Sequence, residues 1–106
     1  MDLRVNIKEE KGETVILDLV GSMDISTSPH LKVAIVELLE GGKRKFLLCM
    51  NRLDYIDSTA LGAIMSCFKR VKEKGGVFIL FSLTDQAKKL IEITALSAII
   101  PVYKND

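Results

Sequence analysis

The chain has 106 residues, the length of one domain with an ordinary hydrophobic core. Hydrophobic residues make up 48% of it and charged residues 27%, which is typical of a globular protein and excludes a disordered or low-complexity chain. Fifteen Lys and Arg against fourteen Asp and Glu leave a formal net charge of +1, so the chain lacks the basic excess that nucleic-acid-binding proteins normally carry.

The N-terminal part of the sequence predicts a β-hairpin. Apolar and polar residues alternate strictly over residues 3–8, which is the pattern of a strand with one face in water. Lys11-Gly12 is a turn signal, and residues 14–20 are predicted to form a second, more apolar strand. Residues 23–27 are predicted to connect this strand to the next element.

The next segment predicts an amphipathic helix. Ser28-Pro29 marks its start, because serine can cap free backbone N–H groups and proline suits the first helical position. Gly41-Gly42 predicts its end. Between them the apolar residues follow helical spacing and form one stripe: Leu31, Ala34, Ile35, Leu38 and Leu39.

The middle of the chain predicts a buried strand followed by a second amphipathic helix. Residues 46–50 are apolar throughout, which favours a strand in a parallel sheet that helices cover. A loop is predicted over residues 51–57, and the helix after it ends at Gly75-Gly76. The apolar face of that helix consists of Leu61, Ile64, Met65 and Phe68.

The C-terminal part predicts two strands and a helix. Residues 77–81 form another buried strand, and Thr84 caps the third helix. Residues 99–102 are predicted as a short edge strand, because Pro101 cannot donate to a strand ladder. The resulting order, β-β-α-β-α-β-α-β, predicts a single α/β domain over residues 1–106, with a mixed β-sheet and helices packed mainly on one face.

Several features predict a cytoplasmic protein. The start of the chain has no basic and apolar signal segment, and the apolar runs are far shorter than the ~20 residues that span a bilayer. Cys49 and Cys67 lie in apolar runs and are too few for a disulfide scaffold, so we expect buried, reduced thiols. Neither a nucleic acid nor a membrane is expected as a partner.

Motifs of catalytic and metal sites are largely missing from the sequence. The single histidine, His30, falls in the first turn of a predicted helix, which favours a solvated side chain over a catalytic base. One His and two separated Cys do not make a zinc ligand set, and neither a Gly-x-Ser-x-Gly nor a Cys-x-x-Cys motif is found. Gly41-Gly42-Lys43 lies between a helix and a strand, which is the reverse of a phosphate-binding loop.

Three loop carboxylates keep an enzyme open as the alternative from another class. Asp24, Asp54 and Asp57 fall in predicted loops, where they could hold a magnesium ion or work as an acid and base pair in a small hydrolase or nucleotide-binding domain. Acidic loops and helix caps explain the same residues, and spacing alone does not show that they converge. We therefore predict no catalytic residue, no metal ligand and no cofactor.

The segment from Tyr55 to Gly62 departs from a purely structural pattern. Asp57-Ser58-Thr59 sets two hydroxyl groups in the first turn of a helix, where backbone N–H groups lack partners. An ordinary N-cap explains this, and so does a phosphorylation site. A phosphate there gains from the helix dipole and is repelled by Asp57.

Three motifs in this order resemble one known family. The first is Gly21-Ser22-Met23-Asp24, continued to Leu31, and the second is the block from Ile56 to Gly62. The third is Lys74-Gly75-Gly76 before a strand. With this element order and length, the chain resembles the STAS domain family over nearly its whole length, and within it the stand-alone bacterial anti-sigma factor antagonists.

The resemblance implies a partner switch without catalysis by this chain. The unmodified antagonist is expected to bind an anti-sigma factor that is also a serine kinase, which frees a sigma factor for transcription. The kinase would phosphorylate Ser58, with Thr59 as the second choice, and a PP2C-type phosphatase would reset the switch. The resemblance implies these partner-binding residues: Asp24, Ile25, Ser26, Thr27, Asp57, Thr59, Leu61 and Gly62.

The chain departs from the family pattern at three positions. Ala60 and Ala95 stand where the family commonly has glycine, and Cys49 stands where it commonly has aspartate. The alternative within the same family is a scaffold subunit of a stress-signalling complex or an accessory subunit of a transporter. We expect a monomer or a weak homodimer, in which the exposed edge strand over residues 3–8 pairs with another copy.

Overall fold

The computed structural model describes residues 2–103, which form a five-stranded sheet and three α-helices in the predicted order. The elements are β1 (Leu3–Lys11), β2 (Thr14–Met23), α1 (Ser28–Glu40), β3 (Lys45–Ile56), α2 (Ser58–Glu73), β4 (Val77–Phe81), α3 (Asp85–Ile93), a 3₁₀ turn (Leu96–Ala98) and β5 (Val102–Tyr103). The predicted α/β class and element order are therefore confirmed.

The sheet is mixed, with strand order β1-β2-β3-β4-β5. Strand β1 is antiparallel to β2, while β2, β3, β4 and β5 run parallel to one another. The register aligns Leu17 with Leu48 and Leu48 with Leu80, so one face of the sheet carries a continuous apolar row. All three residues are almost fully buried, which places the core on this face.

All three helices pack on that face. Helix α1 buries Leu31 and Ile35 against it, and α3 buries Ala87 and Ile91. Helix α2 contributes the largest share of helical core residues, namely Ala60, Leu61, Ala63, Ile64, Cys67 and Val71. The prediction that the helices lie mainly on one face is confirmed.

The two cysteines are free and buried, as predicted, but they lie on different sides of the sheet. Cys67 belongs to the core beneath α2, where burial raises the pKa of its thiol to about 11 and keeps it protonated at neutral pH. Cys49 lies between the inward-facing Leu48 and Met50 and so points to the opposite face, with its Sγ 3.3 Å from Asn51 Oδ1.

The predicted loop over residues 51–57 is wrong, because β3 continues to Ile56. The parallel ladder resumes after an irregularity and pairs Gly21 with Leu53 and Met23 with Ile56. Leu53 and Ile56 are buried, while the residues between them are exposed. This pattern is spaced by three residues and interrupted by polar side chains, so it does not show the alternation that predicts a strand.

The predicted cap of α1 is also wrong. Thr27, and not Ser28, occupies the N-cap position, and its side chain makes no cap hydrogen bond. The Thr27 hydroxyl donates to the Ser22 carbonyl at 2.8 Å and accepts from the Asp24 N–H at 2.9 Å, so it serves the preceding loop. Pro29 lies in the first turn as predicted.

The last strand is shorter and later than predicted. Strand β5 consists of Val102 and Tyr103, and a 3₁₀ turn takes part of the segment before it. Pro101 lies outside the strand, and its carbonyl accepts from the Leu80 N–H at 3.0 Å. In the range that the structure describes, no helix has both the length and the apolar character needed to cross a membrane.

Candidate functional site

The parallel pairing of β2 with β3 brings two of the sequence motifs together. The last pair of the ladder is Met23 with Ile56, and the Asp57 N–H approaches the Met23 carbonyl at 3.4 Å. The loop after β2 and the start of α2 therefore meet at the carboxyl ends of these strands. This position is the usual place for a functional site in a parallel sheet.

The Asp24 carboxylate organises the loop after β2. Its Oδ1 accepts hydrogen bonds from the Ser26 N–H at 2.9 Å, the Ser26 hydroxyl at 2.8 Å and the Thr27 N–H at 3.1 Å. The Ser26 hydroxyl, together with these N–H groups, holds the pKa of the Asp24 carboxyl below its ordinary value of 3.8. Asp24 is thus the acceptor that shapes the loop.

The four predicted loop residues have different exposures. Thr27 is 3% exposed and supports the loop from inside, as the bonds of its hydroxyl to the Ser22 carbonyl and the Asp24 N–H indicate. Ile25 is 74% exposed at the tip, an unusual position for a large apolar side chain. Asp24 and Ser26 lie at the surface between them. The loop therefore presents one apolar contact residue on a hydrogen-bonded frame.

Asp57 begins α2 as its N-cap. The residue is extended, with φ −120° and ψ 179°, and its Oδ1 accepts from the Ala60 N–H at 3.0 Å. Its carbonyl accepts from the Leu61 N–H at 3.2 Å. The Asp57 side chain thus satisfies one of the four N–H groups that a helix start leaves without an internal partner, and its carbonyl accepts the first bond of the helix.

Ser58 and Thr59 are the first two residues of α2, and both side chains are exposed. Their backbone N–H groups have no acceptor in the described part of the chain. A phosphate on the Ser58 hydroxyl would lie beside these two donors and the positive end of the helix dipole. Two N–H donors without acceptors therefore lie beside the Ser58 side chain at the start of the helix.

The two remaining predicted contact residues of α2 differ in their surroundings. Leu61 is 2% exposed and belongs to the core, so it positions the helix and does not face solvent. Gly62 is exposed, and a Cβ added there would meet no atom within 4 Å. A helical glycine costs about 1 kcal/mol relative to alanine. Nothing inside the fold requires glycine at this position.

Gln86 is a site residue that the sequence did not reveal. Its side-chain amide donates to the Ile56 carbonyl at 3.2 Å, and its Oε1 accepts from the Ile56 N–H at 3.3 Å. This pair of bonds ties the first turn of α3 to the end of β3, next to Asp57. No sequence motif indicates a contact between residues separated by 30 positions.

The three carboxylates of the enzyme alternative do not form a metal site in this structure. Asp24 is used by its loop and Asp57 by the helix cap, while Asp54 is exposed on β3. Among residues 2–103, no three His, Cys, Asp or Glu side chains are placed to share a metal ion.

The structure shows the surroundings of the three residues that depart from the family pattern. Ala60 is fully buried at the start of α2, where its methyl group joins the core. Ala95 follows α3 with φ +61°, a left-handed conformation that favours glycine. Cys49 lies on the sheet face away from the helices.

Comparisons with known proteins identify the family of the chain. Residues 6–105 match the family model of the STAS domain. The chain is 31% identical to an anti-sigma-B factor antagonist of Bacillus subtilis over 102 residues, which covers 96% of this chain and 92% of that protein. It is likewise 31% identical over 104 residues to the anti-sigma-B factor antagonist of a Listeria monocytogenes strain, covering 96% of this chain and 90% of that protein.

Solved structures show the same fold. A putative anti-sigma factor antagonist from Thermotoga maritima superposes with a TM-score of 0.83 at 25% identity, covering 97% of this chain and 86% of that one. The Bacillus protein SpoIIAA in its phosphorylated form superposes with a TM-score of 0.73 at 18% identity, covering 95% of this chain and 92% of that one. At that lower identity the likeness concerns the fold alone.

Proposed function

This chain belongs to the STAS domain family and has anti-sigma factor antagonists as its homologues, and from that membership we propose that it works as such an antagonist in the cytoplasm. In its unmodified form it binds an anti-sigma factor that is also a serine kinase. That binding releases a sigma factor for transcription. The chain acts as a binding module and as a kinase substrate.

Ser58 is the proposed switch. The kinase transfers the γ-phosphoryl group of ATP to the Ser58 hydroxyl oxygen, which loses its proton, and ADP leaves. A PP2C-type phosphatase then hydrolyses the phosphoserine with water and returns the hydroxyl and inorganic phosphate. The observation that carries this proposal is an exposed serine at the first position of α2, beside two N–H groups without acceptors.

The charge of the phosphate explains why binding would end. A phosphoserine adds about −1.5 to −2 at neutral pH. The group would lie next to the Asp57 carboxylate and close to the loop that Asp24 organises. A partner surface that fits an uncharged hydroxyl here would have to bury a dianion among carboxylates, which costs far more than it gains.

The proposed contact surface combines two elements. Ile25 supplies an exposed apolar side chain from the loop after β2. Ser58 and Gly62 lie one turn apart on the same side of α2, and Thr59 lies beside them. Glycine at position 62 would let a partner backbone approach the helix closely, which explains a residue that the fold itself does not require.

A phosphorylation assay tests the proposal. The protein is incubated with ATP and, one at a time, with the kinase-like anti-sigma factors of its source organism, and its intact mass is measured. We expect one phosphoryl group on the wild type, none on Ser58→Ala and one on the matched variant Thr59→Ala. Transfer to Ser58→Ala would move the acceptor to another residue, and the absence of both binding and transfer with every such kinase would refute the function.

A second variant separates binding from folding. Gly62→Ala should raise the free energy of unfolding by up to about 1 kcal/mol, because it removes a helical glycine and meets no neighbour. Calorimetry should show that unphosphorylated Gly62→Ala binds the kinase at least tenfold more weakly than the unphosphorylated wild type does. If the variant is stabilised and still binds as the wild type does, Gly62 is not part of the contact surface.

A further inference from the structure

The sheet face opposite the helices carries an apolar surface that no described element covers. We call it the open face and define it by Ile16, Leu47, Ile79, Phe81 and Tyr103, which line a groove of about 450 Å³ together with Lys8 and Glu9. None of its five defining residues belongs to the core under the helices. Parallel sheets normally have both faces covered, and an exposed apolar patch of this kind marks an interaction site.

The strand register divides the open face into three rows. The middle row consists of Ile16, Leu47 and Ile79, which are neighbours across β2, β3 and β4, and Glu9 of β1 lies beside Ile16 at the edge of this row. The upper row, two residues further along each strand, is Asp18, Cys49 and Phe81. The lower row, two residues earlier, is Thr14, Lys45 and Val77, with Lys11 of β1 beside Thr14.

The upper and lower rows carry opposite charges. Asp18 has a side chain 13% exposed, and its Oδ1 is buried without a hydrogen-bond partner in the described structure. Its Oδ2 has one long contact, 3.4 Å to Arg52, whose side chain is 62% exposed. The lower row holds Lys11 and Lys45, and neither lies within 4 Å of a carboxylate of residues 2–103.

We propose that the open face binds the open face of a second copy of this chain, with the strands of the two copies antiparallel. The two-fold axis then lies between the two sheets, along the middle row. The middle row of one copy packs on the middle row of the other, and the upper row of each copy packs on the lower row of the other. Asp18 faces Thr14 of the other copy and lies between the cations of Lys11 and Lys45. Phe81 packs on Val77, which is 39% exposed in the single chain. The sheets would be about 10 Å apart, as in other aligned sheet pairs.

Two observations favour this occupant over the alternatives. The groove is open along the sheet, whereas small-molecule sites bury roughly 70–90% of their ligand. The exposed edge of β1, the route expected from the sequence, is protected against pairing. A bulge follows Ile7, charged residues follow the bulge, and the His30 ring lies 3.3 Å from the outward Leu3 carbonyl.

The size of the face sets the strength of the association. Five strands spaced by about 4.8 Å and five residues of about 3.3 Å each give a footprint of roughly 400 Å². A stable complex buries about 800 Å² on each partner. We therefore expect a weak dimer with a dissociation constant between about 100 µM and about 1 mM, weakened by salt.

Sedimentation equilibrium of the full chain up to about 1 mM tests the proposal. The mean mass should rise from 11.8 kDa toward twice that value. Lys45→Glu places a carboxylate over the upper row and should weaken the dimer at least tenfold. Lys72→Glu makes the same charge change on exposed α2 and should leave the dimer as it is. Circular dichroism checks the fold of each variant, and Val77→Lys replaces Lys45→Glu if the latter does not fold.

The outcomes are distinct. A constant mass of 11.8 kDa at about 1 mM overturns the proposal, and so does an equal loss of dimer affinity in Lys45→Glu and Lys72→Glu.

Amide NMR shifts that change with concentration should fall on Leu47 and Ile79. Shifts confined to β1 would assign the contact to the edge strand, and shifts confined to Ser58 and Ile25 would assign it to the kinase-binding surface. Either result rejects the open face as the interface.

Discussion

Among single residues, Asp24 shows how a functional prediction and a structural role can share one side chain. The sequence offered it as a partner contact or as one of three catalytic or metal-binding carboxylates. The structure uses its Oδ1 as the acceptor for Ser26 and Thr27 of the same loop. Its effect on a partner therefore passes through the shape of the loop and the position of Ile25.

The hydrogen bonds of Asp24 predict a pH dependence of stability. The Ser26 hydroxyl is the main cause of the lowered pKa of Asp24, so the ionised form is stabilised in the folded state. That stability is present above the unfolded value of 3.8 and is lost as the pH falls through the lower folded pKa. The wild type should have a higher free energy of unfolding than Asp24→Asn, and this difference should be larger at pH 6 than at pH 3.

Two measurements check this prediction. Urea unfolding at both pH values gives the difference between wild type and Asp24→Asn. An NMR titration of the Asp24 carboxyl carbon should give a pKa below 3.8 in the wild type and a higher one in Ser26→Ala. An Asp24 pKa that does not move in Ser26→Ala would remove the hydroxyl as its cause.

The residues of the site were only partly predictable. The position of Ser58 followed from the Asp-Ser-Thr motif at the start of an amphipathic helix, since helix caps have a recognisable sequence. Thr27 and Leu61 were expected at a partner surface, yet both are buried. The sequence shows which residues a motif contains, but burial depends on how the loop and the helix pack on the sheet.

Among the secondary structure elements, those with a clear period matched the prediction. Helix α2 and strand β4 have the expected ends, because Gly75 and Gly76 separate them and each has a regular apolar pattern. Strand β3 is longer than predicted. Its second half pairs with β2 after an irregularity, and such register shifts depend on the neighbouring strand.

Helix α3 gives a prediction about its end. Ala95 follows it with φ +61°, a conformation in which a Cβ costs roughly 1 kcal/mol. Ala95→Gly should therefore raise the free energy of unfolding by about 1 kcal/mol, or a few degrees in melting temperature. The reciprocal control is Gly75→Ala after α2, where φ is +78° and a Cβ would meet no atom within 4 Å.

The two variants test one cause. Since Gly75 has free space around it, its replacement changes only the backbone conformation and should lower stability by a similar amount. Chemical unfolding of both proteins measures the changes. If Ala95→Gly and Gly75→Ala change the free energy of unfolding in the same direction, the left-handed conformation does not control the stability of these helix ends.

On the scale of the whole molecule, the α/β class, the element order and the single helical layer were predictable. Alternating strands and helices with right-handed crossovers permit few arrangements. The identity of the residues on the uncovered face was not predictable, because residues 46–50 and 77–81 are apolar on both sides of the sheet. Only the strand register shows which of them face the helices and which remain on the open face.

Phosphorylation of Ser58 should change the charge of the molecule and not its fold. The formal charge of +1 would fall to roughly −0.5 to −1 at neutral pH. The melting temperature should stay within a few degrees of the unmodified protein, because Ser58 is exposed and two N–H groups stand beside it. Calorimetry of the phosphorylated and unmodified proteins measures this, and a large drop would mean that phosphorylation acts by unfolding.

The layered architecture has a consequence for valency. Ser58 lies at the carboxyl ends of the strands in the helical layer, and the open face lies on the other side of the sheet. In an antiparallel face-to-face pair, the two Ser58 surfaces would point to opposite ends of the assembly. Such a pair would present one contact surface at each end and so would bind two partner molecules that do not touch each other.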